Sequence, residues 1–377
     1  MRSALLLLTL LAAACGGSSD DPAKQSRDPA RRGPWQVGVT TWTVTDPADA
    51  SRVFKVETWY PATPAAGAAF DKVFNIETTA VRDAPADPRG APFPVVAFTH
   101  GNGGIRNQSI YLTEHLASHG YVVVAPDHLR NTLLDYDDSA MADVMRRRPG
   151  DVSLALDTLL AHSGTAGDPL AGMADVTRVG AAGHSFGGFT VLLLAGAHMD
   201  LAAYAADCAP TPDELFCQGA DGTITADDVA GFADPRILAT LSLAPGGRVA
   251  FGPTGLAQAQ GPIQIQGGTL DTICPLDTEE NPIYEALPAP KAFAEFPGAA
   301  HFSFTDICPL YDLMGGATGA LKYLATEGCG ANTVPVADVQ VASRTLGVAF
   351  FDLHLRGIFD TAGYLDPARG VSGVVLR

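Results

Sequence analysis

The stretch VGAAGHSFGGFTVLLLAGA, Val179 to Ala197, constrains the fold more than any other part of this 377-residue chain. A run of small apolar residues stops at a glycine, a serine stands at 185, and a long apolar run follows at once. The first run is apolar on both faces of a strand, and the second is apolar on every face of a helix, so both belong in an interior. Gly183, Gly187 and Gly188 let the two backbones pack closely around a sharp turn. A Gly-X-Ser-X-Gly between a buried strand and a buried helix is the nucleophile-elbow pattern, in which the serine stands exposed above a sheet.

The remaining chain supplies a sheet for that unit. RVFKVETWYPA, FPVVAFTHG, YVVVAPDH, TRVGAAGHS, RILATLSLAPG, GPIQIQGG and KAFAEFPG each have strand length and end in turn residues. SIYLTEHLASHG, DVSLALDTLLAHSG, FGGFTVLLLAGAH and VADVQVASRTLGVAFFDLHLRG have helical period. This alternation predicts an α/β fold, with a mostly parallel central sheet covered by helices on both faces. WQVGVTTWTVTD and RVFKVETWYP have no helix between them, which predicts an antiparallel start. Residues 70–94 carry four prolines and are expected as a long surface loop, and residues 200–235 as an insertion after the nucleophile helix. MRRRPGD, holding Arg146 to Arg148, is expected as a solvated turn before a helix, with a clamp for anionic substrates as the sharper alternative.

A serine hydroxyl needs a base to take its proton and an acid to orient the base. In an elbow of this kind the chain order is Ser, acid, His, and each partner closes a later strand. Asp271, just past IQIQGG, is the predicted acid, with Asp277 as the alternate; His301, in FPGAAHFSF, is the predicted base. The oxyanion hole needs two backbone donors: Phe186 after the nucleophile, and Asn102, or else Gly103, in THGNGG. His184 is expected to be packed inside the elbow, and His100 to support its loop. His115, His119, His162 and His354 are expected at surface or boundary positions, His198 at a helix end, and His128 on a substrate wall. DGTITADD matches only the second half of a calcium loop, because Cys217 and Gly219 fall where acidic ligands are needed; a helix cap is the better reading. No metal ion and no cofactor is expected.

The amino terminus begins MRSALLLLTLLAAAC: Arg2, then an apolar run too short to span a bilayer. Residues 1–14 are expected as a signal peptide. LAAAC resembles a bacterial lipobox, so Cys15 is expected to carry a lipid anchor to the membrane, a plain cleavage site being the alternative. Residues 15–34 are expected as a flexible tether and 35–377 as a single domain, acting as a monomer outside the cytoplasm. In an oxidising compartment short-range pairing favours Cys208 with Cys217 and Cys308 with Cys329, leaving Cys274 free; Cys274 with Cys308 is the rival. With 24 Lys and Arg against 41 Asp and Glu, the net charge of -17 argues against a nucleic-acid partner.

Taken together, VETWYPA, THGNGG, YLTEHLASHGYVVVAPDH, DVSLALDTLL, GHSFGG, GAAHFSFTDICP and FFDLHLRG resemble the α/β-hydrolase superfamily. Within it they look most like the bacterial predicted dienelactone hydrolases, a group related to platelet-activating-factor acetylhydrolases. The resemblance implies that Ser185, Asp271 and His301 form the triad, the same three residues chosen by strand position. Dienelactone hydrolases proper use a cysteine nucleophile, so Ser185 favours ordinary carboxylic ester hydrolysis. The expected substrate is a short-chain or acetyl ester. A polyester or cutinase-type hydrolase and a binding protein on an inactive scaffold are the alternatives.

Overall fold

The computed structural model describes residues 28–319 and 321–377. The signal peptide and Cys15 lie outside the described residues. The strands are β1 (Gln36–Asp46), β2 (Asp49–Ala62), β3 (Lys72–Val73), β4 (Ile76–Glu77), β5 (Ala80–Arg82), β6 (Phe93–Thr99), β7 (Val122–Pro126), β8 (Ala174–His184), β9 (Ile237–Leu243), β10 (Ile263–Gly268), β11 (Lys291–Phe296) and β12 (Val375–Leu376). The α-helices are α1 (Ile110–Ser118), α2 (Met141–Gly164), α3 (Phe186–Leu194), α4 (Leu201–Cys208), α5 (Ala226–Ala230), α6 (Asn281–Ala286), α7 (Cys308–Leu313) and α8 (Val336–Arg356).

One sheet runs in the order β12-β11-β10-β9-β8-β6-β7-β2-β1-β5. From β11 to β7 every pairing is parallel, and β1 and β2 form the expected antiparallel start. Strand periodicity of two sorts the core. Val96, Phe98, Val123 and Ala125 face α1 and α8, while Val95, Ala97, Val122 and Val124 pack with α2 and α3 on the other side. The result is the predicted three-layer α/β architecture.

Between β6 and β8 the strand order reverses: the chain leaves β6 for β7 on one side and returns to β8 on the other. The carboxyl ends of the strands on either side of such a switch diverge and leave a crevice for ligand. The loop after β6 and the elbow after β8 both open there.

Four expectations change. Residues 70–94 hold the β3–β4 hairpin and the edge strand β5, which pairs in parallel with β1, so the segment is more than a loop. Residues 28–34, expected in the tether, pack on the domain: Asp28 accepts from Tyr364 Oη at 2.7 Å, and Gly33 N donates to Ser118 Oγ at 3.0 Å. That packing buries His115 and His119, expected near the surface, which bond to the carbonyls of Pro29 and Arg31. Helix α2 starts at Met141 and runs through Pro149, so MRRRPGD lies within the helix and is not a turn before it. In consequence Arg148 is 0% exposed, while Arg146 and Arg147 pair with Asp143 at the surface.

The insertion at 200–235 contributes α4 and α5, and Thr225 and Asp228 make the capping box expected in place of a calcium loop. Disulfides join Cys208 to Cys217 and Cys308 to Cys329, and Cys274 is free and buried. Among the described residues, no helix is long and apolar enough to cross a membrane.

Candidate active site

Ser185 occupies the turn between β8 and α3 with φ 56° and ψ -117°, a left-handed backbone that costs a non-glycine residue of order 1–3 kcal/mol. Close packing holds it there. Ser185 N donates to Leu243 O at 2.8 Å, and a β-carbon at Gly183 or Gly187 would run into the Gly187 or Thr99 carbonyl. The first residue of α3 is Phe186, whose N–H has no acceptor within the helix and points where the dipole is positive.

Asp271 follows β10 and His301 follows β11, on neighbouring strands. His301 Nδ1 meets Asp271 Oδ2 at 2.7 Å, with both side chains buried. The second carboxylate oxygen accepts from Ile273 N at 2.8 Å and Cys274 N at 2.7 Å. Three donors fix that carboxylate, so it can fix the imidazole in turn. The alternate acid, Asp277, is exposed on the turn of π-helix that precedes α6.

Contacts around the elbow bring these loops together. His184 Nε2 donates to His301 O at 2.9 Å, its Nδ1 accepts from Gln108 Nε2 at 2.8 Å, and Gln108 Oε1 accepts from Gly101 N at 2.9 Å. Burial pushes the His184 pKa well below the usual histidine value, so it is the neutral packing residue expected. Cys274 is buried beside the Asp271 carboxylate, and burial pushes its thiol well above its ordinary pKa. Glu327, from the segment stapled by Cys308–Cys329, accepts from Thr272 Oγ1 and gives its carbonyl to Phe302 N at 2.7 Å. That one residue bridges the loops of Asp271 and His301. Gln108 and Glu327 had no motif to mark them in the sequence.

The loop after β6 turns at His100–Gly104, closed by Gly104 N donating to Gly101 O at 3.1 Å. This bond does not use Asn102 N, and Gly103 has φ 64°. Asn102 Oδ1 accepts from Asn131 Nδ2 at 2.6 Å. His100 supports the loop as expected, bonding Gly101 O and accepting from His128 N. His128, expected on a substrate wall, is 1% exposed and bonds Thr99 Oγ1 at 2.7 Å and Asp151 at 3.0 Å, so it belongs to the interior.

From Asn102 and Gly103 a cleft runs past Phe302, lined by Phe74, Leu133 and Tyr323. Its rim is apolar and open: Phe74 is 54% and Leu133 41% exposed. The insertion touches the site from the other side through Phe216, whose ring meets Phe186 edge-on at 5.3 Å. It walls the elbow without roofing the cleft. Among the described residues no group of His, Cys, Asp and Glu could hold a metal ion.

Residues 85–225 match the family model described as PET hydrolase-like. The chain is 28% identical over 214 residues to cutinase est2 of Thermobifida alba, covering 56% of this chain and 53% of the relative. It is 29% identical over 214 residues to cutinase cut1 of Thermobifida fusca, covering 56% and 50%. The chain thus spans about half the length of the curated relatives it matches. The structure of a ferulic acid esterase from Streptomyces cinnamoneus superposes with a TM-score of 0.59 at 22% identity, covering 85% of this chain and 91% of the other. The fold is that of the α/β-hydrolases.

Proposed function

We propose that this α/β-hydrolase is a serine carboxylic ester hydrolase that works through an acyl-enzyme. The observation that carries the reading is the buried His301–Asp271 pair beside a serine with a left-handed backbone, at the switch point of the sheet. Ser185 Oγ attacks the ester carbonyl while His301 Nε2 takes its proton; Asp271 holds the imidazole by Nδ1. The N–H groups of Phe186 and Asn102 stabilise the oxyanion. His301 then protonates the leaving alkoxide, and a water activated by the same nitrogen frees the acid.

The cleft favours esters with an apolar part. A polyester reading is the second one, supported by the open, apolar rim and by the likeness to proteins named as cutinases. Purified protein should turn over p-nitrophenyl butyrate, and Ser185→Ala should lower kcat by about 10⁴ to 10⁶ and abolish fluorophosphonate labelling. Near-wild-type turnover by that variant would sink the mechanism. Full-length protein without labelling would point to an inactive binding scaffold. Release of soluble acids from polyester film, set against p-nitrophenyl esters of rising chain length, separates the two substrate classes.

An extracytoplasmic place is supported by the two disulfides. Lipid anchoring at Cys15 is tested by Cys15→Ser in the full chain, which should move the protein from the membrane to the soluble fraction. Unchanged fractionation would rule the anchor out.

A further inference from the structure

Behind the oxyanion loop lies a buried polar cluster that the reaction does not touch directly. At its centre is Arg148, 0% exposed in the middle of α2. Its Nε donates to Thr190 Oγ1 at 3.0 Å, Nη1 to Asn131 Oδ1 at 2.7 Å, and Nη2 to Thr99 Oγ1 at 3.0 Å and to the His100 carbonyl. The guanidinium also lies over the Phe186 ring, 4.6 Å from its centroid.

Each contact leads to one half of the oxyanion hole. Asn131 passes the tether on, its Nδ2 donating to Asn102 Oδ1 at 2.6 Å, and the bond to the His100 carbonyl fixes the peptide where the same loop begins. On the other side Thr190 donates to Phe186 O at 2.8 Å, so the bond to Thr190 and the stack on the ring both fix the first turn of α3. A single planar fork therefore spans the two chain segments whose N–H groups must converge on one oxygen. A lysine offers one nitrogen and cannot hold these acceptors in a plane.

We propose that Arg148 is a positioning residue that sets the spacing of the two oxyanion donors, Phe186 N–H and Asn102 N–H. This rests on the ester-hydrolase reading above. The contribution is preorganisation: donors fixed before the reaction stabilise the tetrahedral intermediate without reorganising, and bind ground-state substrate little better.

The test compares Arg148→Met, Arg148→Lys and Asn131→Ala with the wild type on p-nitrophenyl butyrate. Inhibition by butylboronic acid, whose adduct on the serine is tetrahedral, is measured alongside. Arg148→Met should lower kcat about 10²- to 10³-fold and weaken the boronate by a similar factor, while KM changes by less than about threefold. Arg148→Lys should recover part of that loss, and Asn131→Ala, which cuts only the branch to Asn102, should cost about tenfold in kcat. A folded Arg148→Met with wild-type kcat overturns the proposal, as does a kcat loss with unchanged boronate affinity. Should both Arg148 variants fail to fold, Asn131→Ala decides, and wild-type kcat and boronate affinity in it overturn the proposal. A wild-type protein with neither turnover nor fluorophosphonate labelling overturns the hydrolase reading and this one with it. An active wild type with unaffected variants overturns this one alone.

Discussion

Among the described residues a carboxylate and an imidazole meet near a hydroxyl residue in two places, and only one of them follows the serine elbow, next to a loop residue, Phe302, that lines the cleft. In the first, Asp271 and His301 meet at 2.7 Å, and His184, next to Ser185 in the elbow, bonds the His301 carbonyl at 2.9 Å. In the second, Asp151 and His128 meet at 3.0 Å, and His128 Nε2 lies 2.7 Å from Thr99 Oγ1. The second set holds more of the bonds of a relay, yet its hydroxyl ends strand β6 and is already claimed by Arg148. Burial pushes the pKa of His128 well below the usual value and that of Asp151 up to about 6. Residue types at bonding distance do not make a catalytic site. What differs is the backbone: Ser185 sits on a strained elbow at the head of α3, whereas Thr99 ends β6 and runs into a loop.

The largest effect that would break this comparison is at Asp271. Asp271→Asn should lower kcat about 10⁴-fold with little change in melting temperature, because the imidazole then settles in the wrong tautomer. A loss of less than tenfold, measured by steady-state kinetics, would move the orienting role to another residue. At the sealed set the expectation reverses. Asp151 also pairs with Arg52, so Asp151→Asn removes one partner of a buried ion pair and should cost about 3–5 kcal/mol in denaturant unfolding, with a far smaller kinetic loss than Asp271→Asn. Equal kinetic losses at the two aspartates would erase the distinction.

The smallest effect concerns Glu280, a buried carboxyl that presses on Gly267 of β10, near Asp271. Neither of its oxygens has a hydrogen-bond partner among the described residues, whereas the side-chain polar atoms of the sealed set are all satisfied. Burial pushes its pKa well above the usual carboxylate range, with Asp271 adding to the effect. The folded state therefore keeps a proton that the unfolded chain loses above its ordinary pKa, and stability falls as pH rises from there toward the raised value. Glu280→Gln should flatten this part of the dependence, read as a smaller drop in melting temperature between pH 5 and pH 8 than in the wild type. Parallel curves would show that the carboxyl does not titrate there.

Much of the frame is visible in the sequence because it obeys local rules. The seven strands written as apolar runs form and pair as alternation demands, and the elbow glycines have no room for a side chain. Asp271 and His301 follow from counting strand ends. Other features follow no local rule. Three consecutive arginines look solvated, and Pro149 looks like a helix boundary at a cost of about 3 kcal/mol; in the fold that helix continues and Arg148 is buried among four acceptors. His115 and His119 lie on a helix face that has no partner in the sequence, until residues near Pro29 and Arg31 come back to cover it.

By itself, then, the sequence determined the strand–elbow–helix unit, the parallel sheet around it and the three residues placed at strand ends, because backbone sterics and apolar periodicity act over a few residues. Only the tertiary structure decided that His128 is sealed in the interior, which arginine is buried and how the loop after β6 is tied to the first turn of α3. Those outcomes depend on hydrogen bonds between residues far apart in the chain, and a buried polar group keeps its place only where the complete set of partners is assembled.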